Sequence, residues 1–193
     1  MKKSILGILI TLMAVIALLG CGMLAKANGV ILYGEEEILN AVKEEKDKIV
    51  EVEQHKIKML TNDNQQIMIL SEDTAQSLVE KKLISEITDQ KKGESKEISS
   101  LSKVAKGEAL LFAKEESNEI EIEDIDINIK YEGNLIIGIG RAYADMFLIV
   151  KDEDWASLKG AEKALAILKY DKDPSAKGLS YPVEQVQLVR IQD

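Results

Sequence analysis

The chain has 193 residues and a formal net charge of −9, and its arginines are Arg141 and Arg190 alone. An acidic chain without a basic stripe is repelled by nucleic acid and by anionic lipid, so nucleic-acid binding is excluded as a function class. Apolar residues make up 46% and aromatics 4%, so Ile, Leu and Val build the core and general disorder is excluded.

Met1, Lys2 and Lys3 open the chain, and a charge-free run follows over 4–25, densest at ILGILITLMAVIALL. A short basic start ahead of such a stretch forms the n-region and h-region of a secretory signal. The run contains Leu18-Leu19-Gly20-Cys21, and Cys21 is the single cysteine of the chain. In these residues the sequence resembles the precursors of bacterial lipoproteins. The resemblance implies cleavage before Cys21 and a diacylglycerol on its sulfur. Leu18, Gly20 and Cys21 match the pattern, while Leu19 stands where a smaller residue is commoner. It covers residues 1–21.

Two other readings of the same stretch stand beside it. One is an uncleaved transmembrane helix, since ~20 apolar residues span a bilayer. The other is ordinary cleavage after Ala25-Lys26-Ala27. All three keep Lys2 and Lys3 inside and the body outside. Loss of the two lysines with the signal takes the charge from −9 to −11. A diacylglyceryl group is a firm anchor, because each buried CH₂ contributes ~0.8 kcal/mol. With Cys21 committed to the lipid, no cysteine remains for a disulfide, a CxxC pair or a zinc site.

Residues 22–34 read as a short tether. Ile38, Ala41, Val42 and Ile49 then recur at helical spacing, with Glu35, Glu36 and Glu37 at the start, and predict a helix over 35–48. The period next changes to two. Val50 and Val52 alternate with Glu51 and Glu53, and Ile57 and Met59 with Lys56 and Lys58. Ile67-Met68-Ile69-Leu70 follows, and Ser71-Glu72-Asp73 announces a helix over 72–82. A strand over 83–88, a polar loop over 89–100 and a buried strand over 109–112 complete this half.

In the second half Ile120 and Ile122 alternate with acids, and Ile125, Ile127 and Ile129 resume on the opposite parity. A bulge or turn is expected between them, at Glu123-Asp124. Strands over 135–139 and 147–150 come next. Lys151-Asp152-Glu153-Asp154 leads into a helix with Trp155 and Leu158, then a strand over 164–170, a loop over 171–178 and a last strand over 186–191.

The order of the second half repeats that of the first. Residues 68–78 lie over 148–158 at an offset of 80 without a gap, and Ile57, Met59 and Ile87 fall on Ile137, Ile139 and Ile167. Leu101-Ser102 falls on Leu179-Ser180 at an offset of 78. The expected fold is α+β and strand-dominated. It has two tandem β-β-α-β-β modules, each a small barrel or twisted sheet, after an N-terminal helix. The corresponding divisions are a signal peptide over 1–20, a lipid tether and helix over 21–48, a first module over 49–116 and a second over 117–193.

No catalytic constellation is legible. His55, the one histidine, sits among Glu53, Gln54 and Lys56, without the local nucleophile and orienting partner that a general base needs. Glu119, Glu121, Glu123, Asp124 and Asp126 could offer oxygens to calcium, but alternate acids along a strand mark its solvated face. The stretch from Asp171 begins like an EF-hand loop and fails at Ala176 and Pro182, where Gly and Glu are required. Gly138-Ile139-Gly140 is too short for a dinucleotide fingerprint and suits a bulge or tight hairpin. Trp155 is expected to fill core space. The sequence therefore points to a lipid-anchored surface protein with a non-enzymatic binding or interaction role toward a protein or ligand outside the cell. It calls for no metal and no cofactor. The alternatives are an enzyme or enzyme accessory with a scattered site, and a structural envelope protein.

Overall fold

A computed structural model describes residues 26–35, 49–116, 127–174 and 181–192. The signal, Cys21, the helix expected over 35–48 (apart from Glu35) and the acid run over 119–126 lie outside these residues. Eleven strands and two helices are described. They are β1 (Gly29–Gly34), β2 (Ile49–Asn62), β3 (Gln65–Ser71), α1 (Glu72–Glu80), β4 (Ile84–Asp89), β5 (Glu94–Glu97) and β6 (Glu108–Phe112). They continue with β7 (Asn128–Gly133), β8 (Leu135–Ile137), β9 (Met146–Val150), α2 (Asp152–Ser157), β10 (Ala161–Tyr170) and β11 (Gln185–Val189). One sheet of eight strands has the order β11-β1-β10-β2-β3-β9-β6-β7, and a sheet of three has the order β5-β4-β8. The fold is α+β, dominated by a mixed sheet of eight strands and an antiparallel sheet of three, with few helices among the described residues.

The apolar runs of β3, β6 and β9 have no polar alternation because both faces of the large sheet are covered. Met68 and Leu70 of β3 join a core with α1 and the small sheet, while Ile67 and Ile69 join a second core with Leu111, Leu148 and Trp155. The β2–β3 turn holds Asp63 and Asn64 at φ 47° and 65°, the left-handed pair that matches a two-residue hairpin to strand twist. Ser71 caps α1 by accepting from the Thr74 N–H at 3.2 Å. Lys82, at φ 58°, closes the helix as Leu83 N–H donates to Leu78 O and Lys82 N–H to Val79 O.

Two stretches differ from the sequence expectation. Residues 29–34, assigned to the tether, form β1, which is buried along its whole length between β10 and β11. Its run GVILYG lacks alternation for the same reason as β3. The polar stretch over 89–100 contains β5, whose four residues are all exposed. A strand with no buried face carries no apolar signal.

The segments matched at the offset of 80 are each a strand followed by a helix, β3–α1 and β9–α2. The two strands lie side by side and parallel, Met68 opposite Phe147 and Leu70 opposite Ile149. Their helices cover opposite faces. Leu78 is fully buried in one core, while Leu158 packs half-buried against the other. The large sheet takes strands from both sides of residue 117, since β10 pairs with β2, and β6 pairs with β7 and β9.

Candidate functional site

β2 and β10 run antiparallel with Ala161 opposite Met59 and Lys163 opposite Ile57, and Gln66 of β3 lies opposite Thr61. Because side chains alternate along a strand, Met59, Thr61, Ala161 and Lys163 share the sheet face that forms the main core further along. At this end of the sheet the face emerges from its cover. A groove of about 350 Å³ opens there, lined by Met59, Thr61, Gln66, Tyr143, Ala161, Lys163 and Glu184.

Tyr143 reaches the groove from the connection between β8 and β9, which is pinned at several points. Gly138 has φ 65°, and a Cβ there would stand 2.3 Å from Gln187 Oε1, so only glycine fits. The Gln187 Oε1 accepts from Ile139 N–H at 3.0 Å, and Gln187 Nε2 donates to the Tyr33 hydroxyl at 3.3 Å. The turn expected at Gly138-Ile139-Gly140 is present. Arg141 donates to Asn134 Oδ1 at 2.7 Å and to the Asp145 carbonyl at 2.6 Å, and Asp145 Oδ2 accepts from Gln66 N–H at 2.8 Å. The Tyr143 ring stacks on buried Tyr33, with centroids 4.6 Å apart and planes 23° from parallel.

A charged network closes one wall. Lys163 Nζ donates to Glu184 Oε1 and Glu35 Oε1, both at 2.6 Å, and the Tyr143 hydroxyl donates to Glu184 Oε2 at 2.6 Å. The bond from Lys163, reinforced by that from Tyr143, holds Glu184 below the usual carboxylate range. The bonds to Glu184 and Glu35 hold Lys163 above its ordinary value. Burial first, and then the Glu184 bond and charge, push the Tyr143 phenol up. Each group moves away from neutrality, so each is held in its ordinary charge state. Proton-transfer groups are tuned the other way. Such an arrangement suits recognition.

A second feature lies along β2. Its first part pairs with β10 from Ile49 opposite Tyr170 to Ile57 opposite Lys163, whereas β3 pairs only with Lys58–Asn62. Among the described residues no strand occupies the other edge of 49–57. Glu51 and Glu53 turn toward α1, where Lys81 bonds both, at 2.9 Å to Glu53, and Ser77 donates to Glu53 at 2.7 Å. Burial opposes ionisation of Glu53, but the bonds from Ser77 and Lys81 outweigh it and its carboxyl lies below its ordinary value. On the other face Val50 and Val52 are 61% and 45% exposed.

The residues weighed in the sequence fall elsewhere. His55 lies on β2 with Nε2 3.4 Å from Glu53 Oε2, away from the groove. Half-buried Trp155 packs in the second core and donates Nε1–H to the Ile69 carbonyl at 3.2 Å. Among the described residues no group of three His, Cys, Asp or Glu is placed to hold a metal ion. The groove residues gave no sequence signal, because they come from five separate stretches that only strand pairing brings together.

A two-sheet α+β body of this kind has a solved counterpart. A protein from Bacillus anthracis, described as a lipoprotein and determined by crystallography at 1.5 Å, is 25% identical and superposes with a TM-score of 0.78, over 86% of this chain and all of its own. No curated protein matches. Residues 27–192 match the model of an uncharacterised lipoprotein family, and the chain belongs to that family. It is a membrane-associated lipoprotein.

Proposed function

We propose that the protein is held by a lipid on Cys21 with its body on the extracytoplasmic side, and acts there as a non-enzymatic interaction protein. Its partner is an extended polypeptide segment that adds to the edge of β2 over 49–57, which no described strand occupies. The observation that carries this reading is the edge of 49–57. Such an edge offers a row of main-chain donors and acceptors to another chain. Natural edges are commonly blunted by charge. Here the acids of one face are engaged by Lys81 and Ser77, and the other face presents Val50 and Val52. A main-chain ladder calls for a polypeptide, and the alternate valines call for apolar residues at every second position of it. The locked charge states of the groove argue against acid–base catalysis, and the acidic charge argues against nucleic acid.

A photo-crosslinking residue at Val50 in intact cells tests the edge, with exposed Lys91 as the control site. Adducts are expected at Val50 and not at Lys91, and Val52→Asp is expected to abolish them without unfolding the body. Equal labelling at both sites, or adducts indifferent to Val52→Asp, rejects the edge. The intact mass of membrane-extracted protein tests the anchor. A lipid-sized increment at Cys21 is expected, with Cys21→Ser leaving a larger unprocessed chain. An unmodified wild-type chain still beginning at Met1 rejects it.

A further inference from the structure

We infer that the groove is a binding site for a neutral, hydroxyl-rich ligand of the saccharide class. This site is separate from the β2 edge and does not depend on it. Its volume of about 350 Å³ falls at the small end of the ~300–1,000 Å³ typical of ligand pockets. Met59, Ala161 and Tyr143 give its lining an apolar part. Such surfaces take the C–H faces of a sugar ring. The connection carrying Tyr143 is fixed at Gly138, Ile139, Arg141 and Asp145, so binding costs little ordering.

The polar lining selects the chemistry. Lys163 and Glu184 neutralise each other at 2.6 Å, and Glu35 beside them leaves an excess of negative charge. That disfavours phosphates, carboxylates and anionic headgroups. A cation gains little either, because each Glu184 oxygen already accepts a charge-assisted or phenolic bond, and Glu35 is largely exposed, where a single ion pair contributes little. What stays open is a set of single donors and acceptors close together. Gln66 Nε2 donates to Thr61 Oγ1 at 3.0 Å, which leaves the second amide N–H and the Oε1 of Gln66 and the O–H of Thr61. Lys163 keeps a third N–H. A hydroxyl group both donates and accepts, so neighbouring hydroxyls match such a mixed lining. An extended peptide is matched less well. At Lys58 and Met59 strand β2 has a strand on each side, and at Leu60–Asn62 it is paired by β3, so only a short edge past Met59 is left to a peptide and side chains must do most of the recognising.

The test uses the full-length protein in lipid nanodiscs with ¹³C-methyl methionine. Met59 lines the groove and Met68 is buried in the core, so one reports binding and the other controls for global change. Probes are a panel of neutral mono- and disaccharides, with trialanine, putrescine and inorganic phosphate as contrasts. Saccharides at millimolar concentration are expected to shift the Met59 signal and spare Met68. Gln66→Ala and Thr61→Val, both at exposed positions, are each expected to weaken binding roughly five- to tenfold, the worth of one hydrogen bond. A Met59 shift with trialanine, putrescine or phosphate but with no sugar overturns the ligand class. No shift with any probe at about 10 mM overturns the site itself.

Discussion

Lys163 and Tyr143 donate to the same carboxylate, that of Glu184, and the three titrate against one another. Tyr143 is raised above its ordinary 10.0 and Lys163 above 10.5. A group whose folded value is raised contributes stability that is complete below its unfolded value and lost as pH rises toward the folded one. Both therefore predict a decline beginning near pH 10. Glu184 is lowered below 4.5, so its contribution is present above that value and lost as pH falls through the lower folded one. Because Lys163 and Glu184 are partly solvated, their shares are screened and small, and the alkaline limb belongs mainly to two phenols, that of Tyr143 and that of buried Tyr33, which burial also raises. Urea midpoints measured from pH 8 to 11 are expected to fall less steeply for Tyr143→Phe than for the wild type. Superimposed limbs for the two proteins would show that the Tyr143 phenol is not held as described. None of these residues was legible in the sequence as a site. Tyr143 and Glu184 are ordinary residues in loops, and only the β8–β9 connection and the approach to β11 bring them together.

Elements were legible where their burial leaves a pattern. The runs of β3, β6 and β9 read correctly as buried strands. β1 carries the same signal, but its place between an export signal and a helical stretch disguised it as tether. The change of parity within β2, from Val50 and Val52 to Ile57 and Met59, has a physical cause. The strand leaves a partly open face at its start and enters the core only at Ile57. The six-residue α2 poses a different problem, since Lys151 gives it no side-chain cap and a helix so short is marginal alone. It is held at its other end by Lys58, which is 4% exposed. Lys58 Nζ donates to the carbonyls of Trp155 at 2.9 Å and Leu158 at 2.7 Å, and lies 4.4 Å from the Trp155 ring centre. This cation completes the carbonyls at the helix C-terminus. Lys58→Met preserves the stem and removes the donors, and is expected to cost about 2–4 kcal/mol. A loss under about 1 kcal/mol by urea denaturation would mean that water replaces the ammonium.

The direction of β1 orders the whole molecule relative to its membrane. Asn28 ties the start of β1 into the fold, accepting from Ile191 N–H at 2.7 Å and donating to the Ile191 carbonyl at 2.9 Å. With the proposed lipid on Cys21, the six residues 22–27 separate anchor and body, and the steps from Cys21 to Asn28 span at most about 25 Å of extended chain. The start of β1 must therefore stay close to the bilayer. Tyr170 N–H donates to the Asn28 carbonyl at 2.8 Å, so the end of β10 and Asp171 lie at this near end. Six residues of β1, at ~3.3 Å each, carry the chain about 20 Å to Gly34. There Lys163, Glu184 and the β2–β3 hairpin gather, and the groove opens at this far end. If Cys21 carries the lipid as proposed, the groove is expected to face away from it. With Cys21 blocked by the proposed lipid, a single new cysteine can be labelled selectively. A fluorophore on Asp171→Cys is expected to be quenched strongly by a headgroup-attached quencher in the bilayer, and one on Gln65→Cys, beside the hairpin, weakly. Equal quenching at the two positions, or the reverse order, would place the groove toward the membrane and overturn this orientation.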